Sequence, residues 1–423
     1  MKIFSKLYYE YRRILKIIVL YLIISGPGIV VMVADNDAAG ITTYAATGAK
    51  FGYNLIWFLL LLVPIAYFVQ EMTVRIGVVT KRGHAESVFE AFGSFWGWFS
   101  LTNLMFVNWL TLITEFIGMT AALNIFGVPS HFTVIGVCVL MGIMVLNGRY
   151  WTWEKIALTF CALNLIYIPC AFIVNPPISA IIHEGFIPNF PGGFNNEIFF
   201  FLMANIGTTI APWMLYFQQS AVVDKGMREK DIPWAKFDTI VGAILTIAIA
   251  IFIVIVAGTV LRGVEFESAA QAAQKLMEIN KYVGSFLAIG LFNAGLLGAI
   301  CISLASSWAF GEIFGWAHSL NNKIKEAPWF YANYFITLIS AGIVVLIAPY
   351  NSLIFITLSV QVISAMLLPA TLVFLLLLLN DKKTMGEYKN NLFQNTIGVS
   401  IVSLIIILST LYAISTLFPN LLK

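Results

Sequence analysis

Long hydrophobic stretches, separated by short polar segments, run through the whole chain. A stretch of 18 or more apolar residues is long enough to cross a bilayer as an α-helix. The pattern predicts eleven such spans, at about 17–48, 51–76, 94–125, 131–147, 155–174, 197–222, 237–263, 280–316, 328–348, 352–379 and 393–417. The longest spans are expected to tilt, break or run past the bilayer. We therefore predict an all-α membrane protein in which residues 1–423 form a single transmembrane domain.

The composition supports this prediction and excludes several classes of protein. Of the 423 residues, 60% are hydrophobic and 11% are charged, whereas a soluble domain has about 25% charged residues. The lipid bilayer is therefore the expected surrounding. The basic segments are short and carry no interleaved aromatic residues, so nucleic acid is not an expected partner. The sequence leaves the oligomeric state open, with a monomer as the expectation.

The distribution of basic residues predicts the orientation, because cytoplasmic loops are enriched in Lys and Arg. If the N-terminus is cytoplasmic, 19 of the 24 basic residues fall on the cytoplasmic side. They are Lys2, Lys6, Arg12, Arg13, Lys16, Arg75, Lys81, Arg82, Arg149, Lys155, Lys225, Arg228, Lys230, Lys236, Lys323, Lys325, Lys382, Lys383 and Lys389. An odd number of spans then puts the C-terminus outside. We expect a multi-pass protein of the plasma membrane, which in a prokaryote is the inner membrane.

Two acidic residues interrupt the first span. Asp35 and Asp37 flank Asn36 in a run that is otherwise apolar or small. A carboxylate in the middle of a membrane is costly unless something offsets it, so each is a candidate functional residue. The pattern is typical of a helix that breaks to expose oxygen ligands, and it predicts a cation site. The alternative for Asp37 is a cap on the second half of the helix. Asp35 either lines an aqueous path, draws hydrated cations inward, or only caps a helix.

The sixth span contains a second interruption. Gly207, Thr208 and Thr209 weaken the helix there, and Pro212 removes a backbone donor. Interrupted helices at corresponding positions of two halves indicate the midplane site of a secondary transporter. We therefore predict a LeuT-like fold with discontinuous helices 1 and 6. Its two inverted repeats of five helices would cover about 17–174 and 197–379, with an extra helix at about 393–417.

In addition, four stretches resemble the Nramp family of divalent-metal transporters. These stretches are Gly26-Pro27-Gly28 with 48–53, Thr114–Asn124, Gly207–Ser220, and Ser359–Glu387. The resemblance covers the first ten spans. It implies a secondary transporter that moves a metal ion as its substrate, needs no cofactor and is not an enzyme. The four cysteines lie within spans and form no metal-ligand spacing, so they are read as core residues.

The resemblance also implies which residues bind the ion. The family's first-helix aspartate falls on Asp37 and its asparagine ligand on Gly40, with Asn36 as a possible substitute for the lost amide. The carbonyl ligand falls on Thr208, and the methionine that provides a thioether falls on Ala211. The implied set of substrate-binding residues is Asp37, Asn36, Gly40, Thr208, Ala211 and Gln361, with Asp37, Asn36 and Thr208 as the metal ligands.

Other departures from the family pattern concern proton coupling. The two sixth-helix histidines of the family fall on Trp213 and Gln218, and an acidic residue of the third helix falls on Leu112. Because histidine often carries protons near neutral pH, their loss predicts transport without proton coupling. Glu115 and Asp35 remain candidates for lining the ion path or for proton coupling. The alternative for Glu115 is a structural role, in which it pairs with a buried polar group. Trp213 is more typical of a packing residue than of a contact.

The loss of the thioether changes the expected ion. Carboxylates, carbonyls and water suit Mg²⁺ and Mn²⁺, whereas a thioether favours softer metals. Since Mg²⁺ usually keeps several of its waters, a roomy oxygen site predicts import of Mg²⁺, and also of Mn²⁺, by alternating access. The pattern resembles the Nramp-related magnesium transporter branch. The alternatives are a proton-coupled Mn²⁺/Fe²⁺ Nramp transporter and a Na⁺-coupled organic-solute transporter of the same fold.

Overall fold

The chain is helical throughout the parts that its computed structural model describes, which are residues 26–146, 149–266, 268–348 and 353–418. The helices are α1 (Pro27–Ala34), α2 (Ala38–Phe51), α3 (Ile56–Thr80), α4 (His84–Phe92), α5 (Ser94–Asn124), α6 (Ser130–Val145), α7 (Tyr150–Leu163), α8 (Tyr167–Ile173), α9 (Ile178–Gly185), α10 (Asn196–Thr209), α11 (Pro212–Asp224), α12 (Ile232–Val260), α13 (Ala269–Ile279), α14 (Lys281–Phe314), α15 (Pro328–Ile347), α16 (Leu353–Asn380), α17 (Lys382–Met385) and α18 (Leu392–Leu417). Short 3₁₀ turns cover Asn164–Ile166, Glu229–Asp231 and Gly386–Tyr388.

The all-α membrane fold predicted from hydropathy is confirmed. Within the described ranges, nine helical segments are long and apolar enough to cross a membrane. The segment Ser130–Val145 is apolar but shorter, and α1 and α2 are the halves of the broken first helix. The count of eleven spans therefore stays a prediction. Residues 17–25 of the first span lie outside the described residues, as do the basic residues of the N-terminus and Lys423.

Short helices occupy two connections between predicted spans. Helix α9 lies between the spans at about 155–174 and 197–222, and α13 lies between those at about 237–263 and 280–316. In α13 the side chains of Ala269, Ala272, Ala273 and Leu276 are buried at helical spacing. Ser268 caps this helix by accepting a hydrogen bond from the backbone N–H of Gln271. Span-length hydropathy misses such helices because they are too short to cross a bilayer.

The broken helices lie at the centre of the bundle. The halves α1 and α2 pack against α12, while α10 packs against α16 and α14 packs against α5. At the α10–α16 contact, a β-carbon on Gly207 would lie only 1.9 Å from the carbonyl oxygen of Gln361. Such close approach of membrane helices requires a small residue. The glycine therefore holds the end of α10 directly against α16.

The start of α1 is fixed by a buried carboxylate from α12. Asp238 Oδ2 accepts hydrogen bonds from the backbone N–H groups of Gly26 at 3.0 Å and Gly28 at 2.7 Å. A carboxylate is favourable at a helix N-terminus, where the backbone N–H groups have no partner within the helix. Nearby, Lys225 and Glu154 form a buried ion pair at 2.9 Å. These contacts hold α1 against the body of the bundle.

We expect Asp238→Ala to destabilise the protein, because two buried backbone donors would lose their acceptor at a cost of about 2–4 kcal/mol. The measurement is the thermal unfolding midpoint in detergent, which should fall clearly. Asp231→Ala is the control, since Asp231 accepts a single hydrogen bond from the backbone of Arg228 in an exposed turn. Equal midpoints for the two variants would contradict the anchoring role of Asp238.

Candidate metal site

The first break consists of three polar residues between α1 and α2. Helix α1 ends at Ala34, and Asp35, Asn36 and Asp37 separate it from α2. Asp37 is the N-cap of α2, in extended conformation, and its Oδ1 accepts a hydrogen bond from the backbone N–H of Gly40 at 2.6 Å. Aspartate and asparagine favour this position because their side chains satisfy free backbone donors. The predicted break is therefore present, and Asp37 makes the capping interaction that was the alternative to an ion-binding role.

The second break lies between α10 and α11. Helix α10 ends at Thr209, Ile210 and Ala211 connect the two halves, and Pro212 is the first residue of α11. Proline is suited to this position because its missing N–H would have no partner in the first turn. Thr208 is 2% exposed, and its Oγ1 has no hydrogen-bond partner within the described ranges. An acceptor is thus left free at the point where the helix stops.

Three oxygen atoms from both breaks meet beside Gly40. A β-carbon on Gly40 would lie 2.8 Å from the carbonyl oxygen of Asp35, 3.1 Å from Thr208 Oγ1 and 3.2 Å from Asp37 Oδ1. A side chain at position 40 would collide with these oxygens, so glycine is what allows them to come this close. A carboxylate, a carbonyl and a hydroxyl are ligands of hard cations such as Mg²⁺, Ca²⁺ and Mn²⁺. The geometry brings Asp37, Gly40 and Thr208 together as a candidate site.

Glu115 approaches the same place from α5. Its Oε2 accepts a hydrogen bond from the backbone N–H of Ala38 at 2.9 Å, and it is fully buried. Its Oε1 has no partner among the residues that the structure describes. On α14, a β-carbon at Gly298 would lie 2.6 Å from Asp37 Cβ and 3.1 Å from Glu115 Oε2. Glu115 therefore supports the start of α2 next to Asp37.

The other predicted ligands flank this cluster. Asn36 donates a hydrogen bond from Nδ2 to the carbonyl oxygen of Thr246 at 3.0 Å, while its Oδ1 has no partner in the described part of the chain. Gln361 is 2% exposed on α16, and its backbone packs against Gly207, the neighbour of Thr208. Asn36 is thus turned toward α12, with a free amide oxygen. Gln361 lies against the end of α10.

Trp213 and Gln218 make their contacts away from the aspartates. Trp213 is fully buried and packs edge to face on Phe217, with ring centroids 6.2 Å apart. Gln218 Nε2 donates a hydrogen bond to Thr239 Oγ1 on α12 at 2.9 Å. Trp213 therefore packs along α11, and Gln218 joins α11 to α12.

Two residues near the breaks were missed by the sequence reasoning. Met214 Sδ accepts a hydrogen bond from the backbone N–H of Ala211 at 3.3 Å, so a thioether lies at the second break after all. Thr246 on α12 lies beside Asn36, and its Oγ1 has no partner in the described ranges. The spacing of Met214, three residues beyond Ala211, could have indicated a side chain that folds back on the helix start. Nothing in the local pattern around Thr246 indicated its position.

The family follows from comparison with known proteins. Residues 28–415 match the family described as natural resistance-associated macrophage protein-like. The chain belongs to the Nramp family. The resemblance seen in the four sequence stretches is therefore confirmed, and so is the prediction of a membrane transporter rather than an enzyme.

Relatives of this Nramp chain match along most of its length. It is 26% identical over 410 residues to the divalent metal cation transporter MntH of Caldanaerobacter subterraneus. This match covers 93% of each chain. It is 25% identical over 409 residues to MntH of Listeria welshimeri, covering 93% of this chain and 90% of the relative. In these relatives the metal is the transported ion, which agrees with a substrate rather than a resident cofactor.

Solved structures show the same fold. The manganese transporter of Eremococcus coleocola superimposes with a TM-score of 0.77 at 18% identity, covering 95% of this chain and 88% of that one. The transporter MhsT in complex with L-phenylalanine gives a TM-score of 0.58 at 14% identity, and the match covers 92% of this chain and 98% of that one. Together with the two broken helices, these similarities confirm the predicted LeuT-like architecture. The repeat boundaries stay predictions.

We expect Gly298→Ala to weaken the binding of a divalent ion, because the added methyl group would displace Asp37 or Glu115. The expected loss is at least about tenfold in affinity, or about 1.4 kcal/mol, measured with Mn²⁺ by isothermal titration calorimetry. Gly136→Ala is the matched control, since a β-carbon there meets no described atom within 4 Å. Equal affinities in both variants would show that the region beside Gly298 does not hold the ion.

Proposed function

We propose that this Nramp chain imports divalent metal ions by alternating access, with Mg²⁺ as the principal ion and Mn²⁺ as a second one, without proton coupling. The observation that supports this proposal is the group of three oxygens from Asp37, Asp35 and Thr208 around the space beside Gly40. They come from both broken helices, so an ion between them would contact two parts that move relative to each other in alternating access.

The kind of ligand favours a small, hard ion. Mg²⁺ releases its water reluctantly and is usually held by one or two carboxylates together with several waters. The cluster supplies one side-chain carboxylate, and Gly40 and Ala211 add no bulky side chain beside it. Within the described residues, no group of three or more His, Cys, Asp or Glu side chains is placed to hold a metal. A site with few protein charges suits an ion that keeps part of its water.

The residues that replace the family's histidines and third-helix acid offer nothing for proton transfer at neutral pH. Leu112 and Trp213 are buried apolar residues, and Gln218 does not titrate. His84 Nδ1 donates a hydrogen bond to Gln219 Oε1 at 3.2 Å, and burial lowers the pKa of His84 to about 4, so it is neutral at pH 7. The membrane potential alone supplies about 4.6 kcal/mol for a divalent ion at 100 mV, twice the value for a single charge. That driving force is sufficient for uptake without protons.

The experiment is uptake into proteoliposomes with an imposed, inside-negative potential, comparing Mg²⁺, Mn²⁺ and Ca²⁺. We expect uptake of Mg²⁺, competition by Mn²⁺, and no acidification of the lumen beyond that of empty liposomes. Asp37→Asn should abolish uptake because it removes the charged ligand, whereas Asp231→Asn, in an exposed turn, should retain it. Acidification in fixed ratio to metal uptake would contradict the uncoupled mechanism.

A proton-coupled Mn²⁺/Fe²⁺ transporter is the second candidate, and the position of Met214 favours it. The Met214 sulfur lies against the backbone of Ala211, the position at which the family's thioether would stand. If the side chain turned away from that N–H, it would supply a soft ligand at the second break. A Na⁺-coupled organic-solute transporter shares the fold but has no comparable observation in its favour.

Met214→Leu separates the two candidates, since leucine preserves the volume and removes the sulfur. We expect unchanged Mg²⁺ uptake and unchanged inhibition of that uptake by Cd²⁺, because the sulfur bonds to the backbone and not to the ion. Met203→Leu is the control, because Met203 is also fully buried but lies on α10. A loss of Cd²⁺ inhibition of about tenfold or more, equivalent to at least about 1.4 kcal/mol, in Met214→Leu alone would favour the Mn²⁺/Fe²⁺ candidate.

A further inference from the structure

A polar cavity lies at the ends of α11 and α14 on the predicted cytoplasmic side. Its volume is about 280 Å³, and the start of α4, the last turns of α11 and α14 and the segment after α14 line it. The titratable side chains of this lining are Lys81, Glu86, Asp224, Glu312 and His318. Because α11 has 13 residues, its two ends lie about 18 Å apart. This cytoplasmic cavity is therefore separate from the second break.

Glu312 contributes a buried carboxylate to the cytoplasmic cavity. A β-carbon on Gly83 would lie 1.7 Å from Glu312 Oε1, so the missing side chain lets the carboxylate reach the start of α4. Oε1 accepts a hydrogen bond from the Ser220 hydroxyl at 2.6 Å, and Oε2 accepts one from the backbone N–H of Glu86 at 3.5 Å. Glu312 thus joins α14 to α11 and α4 at the wall of the cavity.

The segment after α14 adds two further acceptors. The Asp224 carboxylate, at the end of α11, accepts hydrogen bonds from the Ser319 hydroxyl and from the backbone N–H of Leu320. His318 Nδ1 lies within hydrogen-bond distance of the carbonyl oxygen of Trp316. Since a carbonyl can only accept, Nδ1 carries the hydrogen, and Nε2 of the neutral ring is left as an acceptor. The segment thereby fixes Asp224 and His318 in the lining.

Trp308 lines the same cavity with a donor that has no partner. Its side chain is 1% exposed, and its Nε1 makes no hydrogen bond to any residue that the structure describes. A buried N–H without an acceptor is costly, and a water molecule in a polar cavity can supply the acceptor. The Trp308 ring packs on Phe217 at 5.5 Å, and Phe217 packs on Trp213 at 6.2 Å. These rings separate a hydrated cavity from the second break.

The lining has three carboxylates and one ammonium group. The ammonium group of Lys81 donates hydrogen bonds to the carbonyl oxygens of Val78 and Met227, which hold it at the wall. Arg82, which is not part of the lining, pairs with Glu86 at 3.4 Å, and both side chains are partly exposed. Such a pair in contact with water offsets the charge only in part. The remaining negative charge favours a cation as the ligand.

The dimensions of the cavity suit an ion that keeps its water. Within the described ranges, no group of three or more His, Cys, Asp or Glu side chains is placed to hold a metal directly. Six water molecules need about 180 Å³, at about 30 Å³ each, and the cavity exceeds that volume. Mg²⁺ releases its water reluctantly. Its water shell can donate hydrogen bonds to the carboxylates and to His318 Nε2.

We propose that the cytoplasmic cavity is a second divalent-cation site, in which a hydrated ion is held through its water by Glu86, Asp224, Glu312 and His318. A bound ion joins the end of α11 to α4 and α14, so it favours the arrangement in which these ends meet. Because α11 is one half of a broken helix that moves in alternating access, ions that accumulate in the cytoplasm slow further import. This effect rests on the proposed function, whereas the binding does not.

The binding test uses Mn²⁺ as the probe and Asp37→Asn as the background, because that substitution removes the central ion. Equilibrium dialysis of the purified variant should still find one Mn²⁺ per chain. Adding Glu312→Gln, which preserves the shape and removes the charge, should weaken this binding about tenfold, or by about 1.4 kcal/mol. Hexaamminecobalt(III), whose ligands do not exchange, should compete with Mn²⁺ because the ion is held through its water.

Glu86→Gln provides a milder variant with a matched control. Glu86 is partly exposed beside Arg82, so the substitution should leave the fold intact and weaken the binding about threefold, or by about 0.65 kcal/mol. Glu387→Gln should leave the binding unchanged, since Glu387 is exposed on the same predicted side and does not line the cavity. If Glu312→Gln does not assemble, as judged by gel filtration, the comparison of these two variants decides the question.

The effect on import is measured with proteoliposomes that contain Mg²⁺ in the lumen. The initial uptake of external Mn²⁺, relative to the rate of the same variant with a Mg²⁺-free lumen, should fall as lumenal Mg²⁺ rises. The concentration of lumenal Mg²⁺ that halves the rate should be about threefold higher in Glu86→Gln than in Glu387→Gln, or about 0.65 kcal/mol. Competition at the central site would affect both variants equally.

The outcomes separate this site from the proposed function. No bound Mn²⁺ in Asp37→Asn, or equal affinities after adding Glu86→Gln and Glu387→Gln, would overturn the second site. Equal inhibition by lumenal Mg²⁺ in Glu86→Gln and Glu387→Gln, with the difference in binding present, would overturn its effect on import. Failure of the native protein to take up any divalent ion would contradict the proposed function and leave the binding result standing.

Discussion

The interior of a bilayer offers no water to the polar groups that a broken helix exposes, and this constraint governs the whole structure. Each exposed backbone group at the two breaks must find a partner within the protein or line a polar space. Asp37 and Glu115 accept hydrogen bonds from backbone N–H groups at the start of α2. Asp238 accepts hydrogen bonds from the N–H groups at the start of α1. Acceptors without a partner among the described residues remain at both breaks, on Asp35, Asn36 and Thr208. The polar residues at the breaks thus stabilise the interruption and also form the candidate site.

Close packing around the breaks depends on the absence of side chains. Gly298 allows α14 to approach Asp37 and Glu115, and Gly207 allows the backbone of α16 to meet α10. Gly40 has a similar effect, because its missing side chain allows three oxygens from the two breaks to approach the same point. Small residues therefore permit close approach at all three places.

The sequence predicted the spans, both breaks and Asp37 because each has a strong local signal. A carboxylate in a hydrophobic run is costly wherever the fold places it, and Pro212 ends a helix for steric reasons that do not depend on its neighbours. Thr246 and Met214 were not predicted, since their importance lies in which atoms face the breaks. A threonine within an apolar helix looks the same whether it faces lipid or Asn36. Helices α9 and α13 were missed because they are too short to give a hydropathy signal.

Glu115 has a consequence for how ion occupancy reaches the rest of the bundle. Asp37 at present spends one oxygen on the N–H of Gly40, and an arriving ion would draw that oxygen away. The N–H of Ala38 has a separate acceptor, because Oε2 of Glu115 on α5 accepts its hydrogen bond. The first turn of α2 is therefore fixed by two carboxylates, one from its own cap and one from a neighbouring helix. The candidate ion site and the packing of α5 thus act on the same helix end.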